Sequence, residues 1–236
     1  MHGTTRNPDN PTLDPGIHWV RFDGASVEGI REFISNHQNL LSTICLLVNN
    51  AGESCFGKAS EIPQEIQTAH QTLLLEAPIQ LTETVLGAMK SRGFGTIVNV
   101  SSLAALFPLP YMAVYSSCKA GLSQYSRDLM LTERGGGVCI IDFQPGDYRT
   151  AFNANIQTYG ELDQNQKRAW KRLEENLAKA PAPEVAAADM LKAIRRGKSG
   201  TVRSGSFFQT VVATTGYRLL PGRLLRWAIR KHYALP

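Results

Sequence analysis

The sequence predicts an α/β protein, a doubly wound parallel sheet with helices on both faces, and three observations predict it. Short apolar, β-branched runs (Ile44–Val48, Thr96–Val100, Val138–Phe143) alternate with long amphipathic stretches. The runs are continuous rather than alternating, as strands covered on both faces are. Small or polar residues follow each run at once, at the strand ends where an open α/β sheet receives its ligands.

Taken in order, residues 1–16 are rich in Asn, Asp and Pro and read as loop, leading into the strand pattern Ile17–Phe22. Ser26 suits a helix N-cap, and Val27, Ile30 and Phe33 recur at helical spacing up to about His37. Ile44–Val48, ended by Asn49-Asn50-Ala51-Gly52, reads as a strand buried on both faces. A helical stretch then ends near Arg92, before Gly93-Phe94-Gly95, and Thr96–Val100 is the next strand. Tyr111–Glu133 forms a second long helix, Gly135-Gly136-Gly137 stops it, and Val138–Phe143 is the strand after it. Such alternation implies right-handed crossovers onto one parallel sheet. Without repeats, low-complexity segments or linkers, residues 1–236 read as a single domain.

A chain of 236 residues and 25.9 kDa can bury a core without metal or disulfide support. Hydrophobic residues at 43%, charged residues at 19% and a mean hydropathy of −0.18 exclude disordered and fibrous classes. Cys45, Cys55, Cys118 and Cys139 lack C-x-x-C spacing, so neither a disulfide nor a metal site is expected. No apolar run approaches the ~18 residues of a membrane span. Met1-His2-Gly3-Thr4 opens no signal-peptide pattern, so a cytoplasmic location is expected.

The net charge of +5 is unevenly placed: from residue 191 onward there are ten basic side chains and no acidic one, and the chain before them is net negative. Leu219, Leu220, Leu224, Leu225, Trp227 and Ile229 are interleaved with that basic stretch. A surface element with an apolar packing face is the plain reading. Contact with a membrane surface through the basic C-terminus is a weaker alternative, and nucleic acid is not expected as a partner.

The chemistry concentrates after the strands. Ser101 and Ser102 follow Val100; Tyr115 stands thirteen residues beyond Ser102, and Lys119 four beyond Tyr115. On a helix, positions i and i+4 share a face, so phenol and ammonium are neighbours. A phenol ionises near pH 10, and a nearby cation lowers that value, which makes Tyr115 a candidate general acid and base. A Y-x-x-x-K pair alone is common; Asn49-Asn50-Ala51-Gly52 after one strand and Pro145-Gly146 after another supply context.

Together these motifs resemble the short-chain dehydrogenase/reductase family, over almost the whole chain from Gly3 onward. The resemblance implies a Rossmann-like domain in which about 151–236 form the substrate-covering and C-terminal part. It implies hydride transfer between a nicotinamide cofactor and an alcohol or carbonyl carbon, in a homo-oligomer. By the resemblance Tyr115 exchanges the proton, Ser102 holds the substrate oxygen, and Lys119 tunes Tyr115 and binds the nicotinamide ribose. Asn50, Ala51 and Gly52 let the backbone approach the cofactor. Pro145, Gly146 and Thr150 belong to a segment similar to the family's P-G-x-x-x-T. Gly3–Pro8 resembles the end of the family's second strand, where Arg6 suits the 2′-phosphate and favours NADP(H) over NAD(H). Asp23 resembles the acid that meets the adenine amino group.

Two departures stand out. The family's first strand, glycine-rich turn and first helix are absent, so Met1 reads as an internal or misassigned start of a longer natural protein. Leu74, twenty-eight residues before Ser102, stands where the family usually has asparagine. Leucine can neither donate nor accept a hydrogen bond, so a weakened proton relay and lowered activity are expected. Phe152, Tyr159, Phe207, Phe208, Tyr217 and the stretch Leu219–Trp227 favour an apolar carbonyl substrate. A catalytically impaired fragment or a non-catalytic binding subunit is the alternative.

Overall fold

Successive side chains along β5 (Gly95–Val100) and β6 (Val138–Pro145) point to opposite faces, which places Ile97 and Ile140 on one face and Val98 and Ile141 on the other, all four buried. A computed structural model describes every residue except 151, 153 and 154. In it, β3 (Leu46–Asn49), β5, β6 and β8 (Gly200–Ser204) form a parallel sheet in the order β3-β5-β6-β8. β1 (His2–Thr5) and β2 (His18–Arg21) form a separate parallel pair, so the opening residues expected as loop are partly strand. A third, short pair joins β4 (Cys55–Phe56) to β7 (Gln157–Thr158).

Ser26 caps α1 (Val27–Asn36), its side chain accepting from the Gly29 N–H at 3.1 Å. A short α2 (Gln38–Thr43) follows. The long stretch expected to end near Arg92 is α3 (Gln64–Gln71), a π-helical turn at Thr72–Glu76, and α4 (Ala77–Arg92). It stops at Gly93 in the left-handed conformation, φ 75°. Gly137 lies against that stop: a Cβ there would fall 1.8 Å from the Gly93 carbonyl oxygen. α5 (Ala113–Thr132) carries the second long pattern. Then come α6 (Gln164–Lys179), opened by a reciprocal Asp163–Gln166 capping box, and α7 (Pro183–Arg196). After β8, a π-helical turn at Phe208–Ala213 leads to α8 (Thr214–Leu219) and α9 (Gly222–His232). No described helix is long and apolar enough to cross a membrane.

On one face the core joins Ile30 and Phe33 of α1, Val85 and Met89 of α4, and Leu129 of α5 to Ile97 and Ile140. On the other, Ala193 and the apolar face of α7 cover Val98, Ile141 and Phe143. β3 departs from expectation. Leu46 and Val48 are 42% and 37% exposed, although the sequence reads as a strand buried on both faces. β3 pairs only with β5, and the cluster built on α7 contains no β3 residue, so one face of this edge strand lies bare. β1 likewise pairs only with β2. Arg6 and Glu53 nonetheless approach to 3.9 Å beyond the carboxyl ends of β1 and β3.

Candidate active site

The carboxyl ends of β3, β5 and β6 open into one cavity of about 1370 Å³. Asn50, Ala51 and Gly52 reach it from the end of β3, Ser102 from β5, Tyr115 and Lys119 from α5, and Pro145, Gly146 and Thr150 from β6. Arg6 and Asp23 are not part of its lining. The Arg6 side chain is 72% exposed, and Asp23 is an exposed residue whose carboxylate accepts from the Ala25 N–H at 3.1 Å.

Local structure explains the placement. Ser102 caps a 3₁₀ turn, Leu103–Ala105, and accepts from the Ala104 N–H at 3.0 Å. Beside it, the Ser101 hydroxyl donates to the fully buried Asp142 carboxylate. Asp142 also accepts from Ser123 at 2.7 Å and from the Gln144 amide at 2.8 Å, tying β5, β6 and α5 together beneath Ser102. Asn49, Thr82, Asn99 and Ser126 form a second buried network under β3 and β5. Gly146 is held by its N–H to the Ser204 carbonyl at 2.7 Å, and a Cβ there would come within 2.5 Å of the Gln209 side-chain oxygen.

Tyr115 packs against Phe152, ring centroids 5.9 Å apart. Burial pushes its phenol up from the ordinary value; a hydrogen bond with Ser102 acts in the opposite direction, and the Asp147 carboxylate adds to the rise. Lys119 is 5% exposed and donates to the Val100 carbonyl at 2.7 Å, with its ammonium 5.9 Å from the Tyr115 ring centroid. Burial pulls Lys119 down to about 8. The lowering of Tyr115 by Lys119 that the family pattern implies is therefore absent from this arrangement, where desolvation dominates. At neutral pH the phenol keeps its proton.

Leu74 lies in the π-helical turn, fully buried with Val114 and Cys118, and with Leu75 and Tyr115 against them. The place expected to lack a relay group is thus a dry apolar cluster. Of the expected walls, Phe152, Phe208, Tyr217, Leu220 and Leu225 line the cavity, whereas Tyr159, Phe207, Leu219, Leu224 and Trp227 do not. Sequence reasoning missed Asp147, His232 and Tyr233, which also line it. Burial raises Asp147, opposed by a hydrogen bond from Gln209, whose amide donates to it at 2.7 Å. His232 is lowered by burial and then by Arg172, with Asp147 opposing. Asp147 was visible inside the Pro145–Thr150 motif, but no periodicity links it to His232, which α9 brings in from the far end of the chain.

The family model described as short chain dehydrogenase matches residues 10–160. The chain belongs to the short-chain dehydrogenase family. A curated relative named 3-ketodihydrosphingosine reductase, from Bacteroides thetaiotaomicron, is 23% identical over 100% of this chain and 89% of its own length. Ketoacyl reductase HetN of Nostoc is 34% identical, over 54% of this chain and 44% of its own length. Among solved structures, a short-chain dehydrogenase from Streptomyces avermitilis superposes with a TM-score of 0.78 at 22% identity, covering 96% of this chain and 86% of that one. A Burkholderia cenocepacia short-chain dehydrogenase in complex with NADP gives 0.70 at 22% identity, covering 99% and 85%. A Burkholderia phymatum short-chain dehydrogenase in complex with NAD gives 0.71 at 17% identity, covering 86% and 74%. The likeness confirms the α/β, Rossmann-like fold with its parallel sheet.

The family implies a nicotinamide dinucleotide, and one end of the site fits it. A Cβ on Gly52 would meet nothing closer than 3.6 Å and would instead fill the cavity, so the glycine leaves backbone open to a ligand. Buried Lys119 adds an ammonium to the same cavity lining. The pyrophosphate end is different: β1 and β3 are unpaired with each other, and no glycine-rich strand-to-helix turn lies there among the described residues. The fit is to the nicotinamide and its ribose.

Proposed function

We propose that the chain is an NADP(H)-dependent oxidoreductase that interconverts an apolar ketone and its secondary alcohol, with Tyr115 as general acid and base. The observation that carries this reading is the meeting of Ser102, Tyr115 and Lys119 in one largely apolar cavity at the carboxyl ends of β3, β5 and β6. Ser102 presents its hydroxyl to the substrate oxygen. Tyr115, kept protonated by burial, delivers its proton to that oxygen as charge develops on it. Asn50, Ala51, Gly52, Lys119, Pro145, Gly146 and Thr150 would hold the ribose and the nicotinamide, and the nicotinamide ring would supply or accept the hydride. Arg6 is assigned to the 2′-phosphate and Asp23 to the adenine, both on exposed ends beyond the cavity. Relatives named as a 3-ketodihydrosphingosine reductase and a ketoacyl reductase support a keto substrate.

Leu74 and the open junction between β1 and β3 favour a second reading, a binding subunit without turnover. Fluorescence titration of the full chain with NADPH and NADH separates the two readings from a third outcome. Micromolar NADPH binding, weaker NADH binding, and a ratio that Arg6→Ala narrows are expected, together with ketone-dependent oxidation of NADPH. Binding without oxidation selects the silent subunit. No binding at millimolar cofactor refutes both.

A further inference from the structure

Sixteen large hydrophobic side chains are exposed among the described residues, and nine of them lie between Phe207 and Trp227. A monomeric surface rarely gathers apolar groups in this way without a function. Phe207 is 73% exposed, Leu219 76% and Trp227 61%. The same segment carries Arg218, Arg223, Arg226, Arg230 and Lys231, and no acidic residue follows Asp189. None of these five cations enters an ion pair among the described residues.

Helix α9 divides this composition between two faces. Leu225, Ala228, Ile229 and His232 line the cavity. On the other side stand Arg223, Leu224, Arg226, Trp227, Arg230 and Lys231, all exposed. The Lys231 ammonium sits over the Trp227 ring, 5.6 Å from its centroid, so an aromatic ring and a cation share the outer surface. Phe208, Val212, Tyr217 and Leu220 are exposed and also line the cavity, so the apolar patch is continuous with the cavity wall.

We infer that this outer surface, from Phe207 to Lys231, docks on an anionic lipid bilayer and sets the cavity mouth against it. An indole flanked by cations on an amphipathic helix suits the interface between acyl chains and charged headgroups. Charge argues against a second copy as the occupant, because five unpaired cations would face five more. The protruding Leu, Phe and Trp side chains are equally unsuited to the phosphate backbone of a nucleic acid. The inference rests on the apolar-substrate reading of the same cavity: a substrate held in a bilayer reaches Ser102 and Tyr115 along Phe208, Val212 and Leu220 without crossing water.

The test is co-sedimentation of the full chain with phosphatidylcholine vesicles, with and without phosphatidylserine. Strong binding only to the mixed vesicles is expected, weakening about fivefold for each cation removed in the series Arg223→Gln, Arg226→Gln, Arg230→Gln. Leu219→Ser, Leu224→Ser and Trp227→Ser together, none of them in the cavity lining, should abolish sedimentation and leave reduction of a small water-soluble ketone unchanged. The charge series stands alone if the triple apolar variant fails to fold. Three outcomes overturn the inference: no binding to either vesicle, equal binding to both, or a dimer in lipid-free buffer that Trp227→Ser converts to monomer. Tight binding to duplex DNA that survives the apolar substitutions would also overturn it. Sedimentation needs neither cofactor nor turnover. For the unsubstituted chain, no vesicle binding with intact ketone reduction refutes the docking alone, and vesicle binding without ketone reduction refutes the catalytic reading alone.

Discussion

Replacing Lys119 by methionine removes a buried ammonium from the floor of the cavity and keeps the length of the side chain. Burial holds Lys119 at about 8, against 10.5 for the free side chain. A folded-state value below the unfolded one means that the charged form is disfavoured by folding. The penalty is therefore complete below pH 8 and disappears as pH rises towards the unfolded value. Over that window the unfolded chain binds more protons, so the wild-type protein gains stability with rising pH. Between pH 7 and pH 10 this single group contributes a gain of about 2–3 kcal/mol, which Lys119→Met lacks. The loss of the 2.7 Å hydrogen bond to the Val100 carbonyl lowers the variant's stability by a constant amount and cancels from the pH difference. Urea unfolding of both proteins at pH 7, 8, 9 and 10, followed by far-UV circular dichroism, reads the gap directly. Stability curves that run parallel across this range would refute the assignment of Lys119 as a buried, desolvated cation.

Four further outcomes follow from the same geometry. Ketone reduction should fall as pH passes about 8, when Lys119 loses its charge, and a profile flat to pH 10 would detach Lys119 from turnover. Ser102→Ala should lower kcat by about 100-fold or more if the hydroxyl meets the developing oxyanion; it should cost the fold only about 1 kcal/mol, the worth of the cap on Ala104. Asp142→Ala strands the Ser101, Ser123 and Gln144 donors in the core, and a loss of about 3–5 kcal/mol is expected by calorimetry. Leu74→Ala empties a fully buried site beside Tyr115, at a cost of about 2–5 kcal/mol in denaturant unfolding.

The strand and helix order between Ile17 and Phe143 was legible because continuous apolar runs and glycine stops report local structure. Ser26, Gly93 and the buried faces of β5 and β6 all stand where their chemistry places them. The bare face of β3 was not legible. Leu46 and Val48 read as buried because a run of apolar residues carries no record of whether another layer covers it. The meeting of Asn50–Gly52, Ser102 and Pro145–Thr150 followed from strand order, since each segment leaves a strand at its carboxyl end, and Tyr115 and Lys119 join them on one face of α5, the helix that follows β5. The electrostatics did not follow. Helical spacing put Lys119 beside Tyr115, but only packing shows that desolvation, opposed by a hydrogen bond with Ser102, dominates the phenol and that Asp147 pushes it the same way. His232 and Tyr233 reach the cavity through tertiary contacts of α9, which no spacing in the sequence encodes.

The central claim is that Tyr115 is the proton donor of a nicotinamide-dependent reductase. NADPH oxidation with an apolar ketone, followed by absorbance for the wild-type chain and for Tyr115→Phe, tests it most directly. The account predicts measurable turnover that falls by about 10²–10⁴-fold in the variant, with NADPH affinity unchanged. Turnover equal in the two proteins would contradict it.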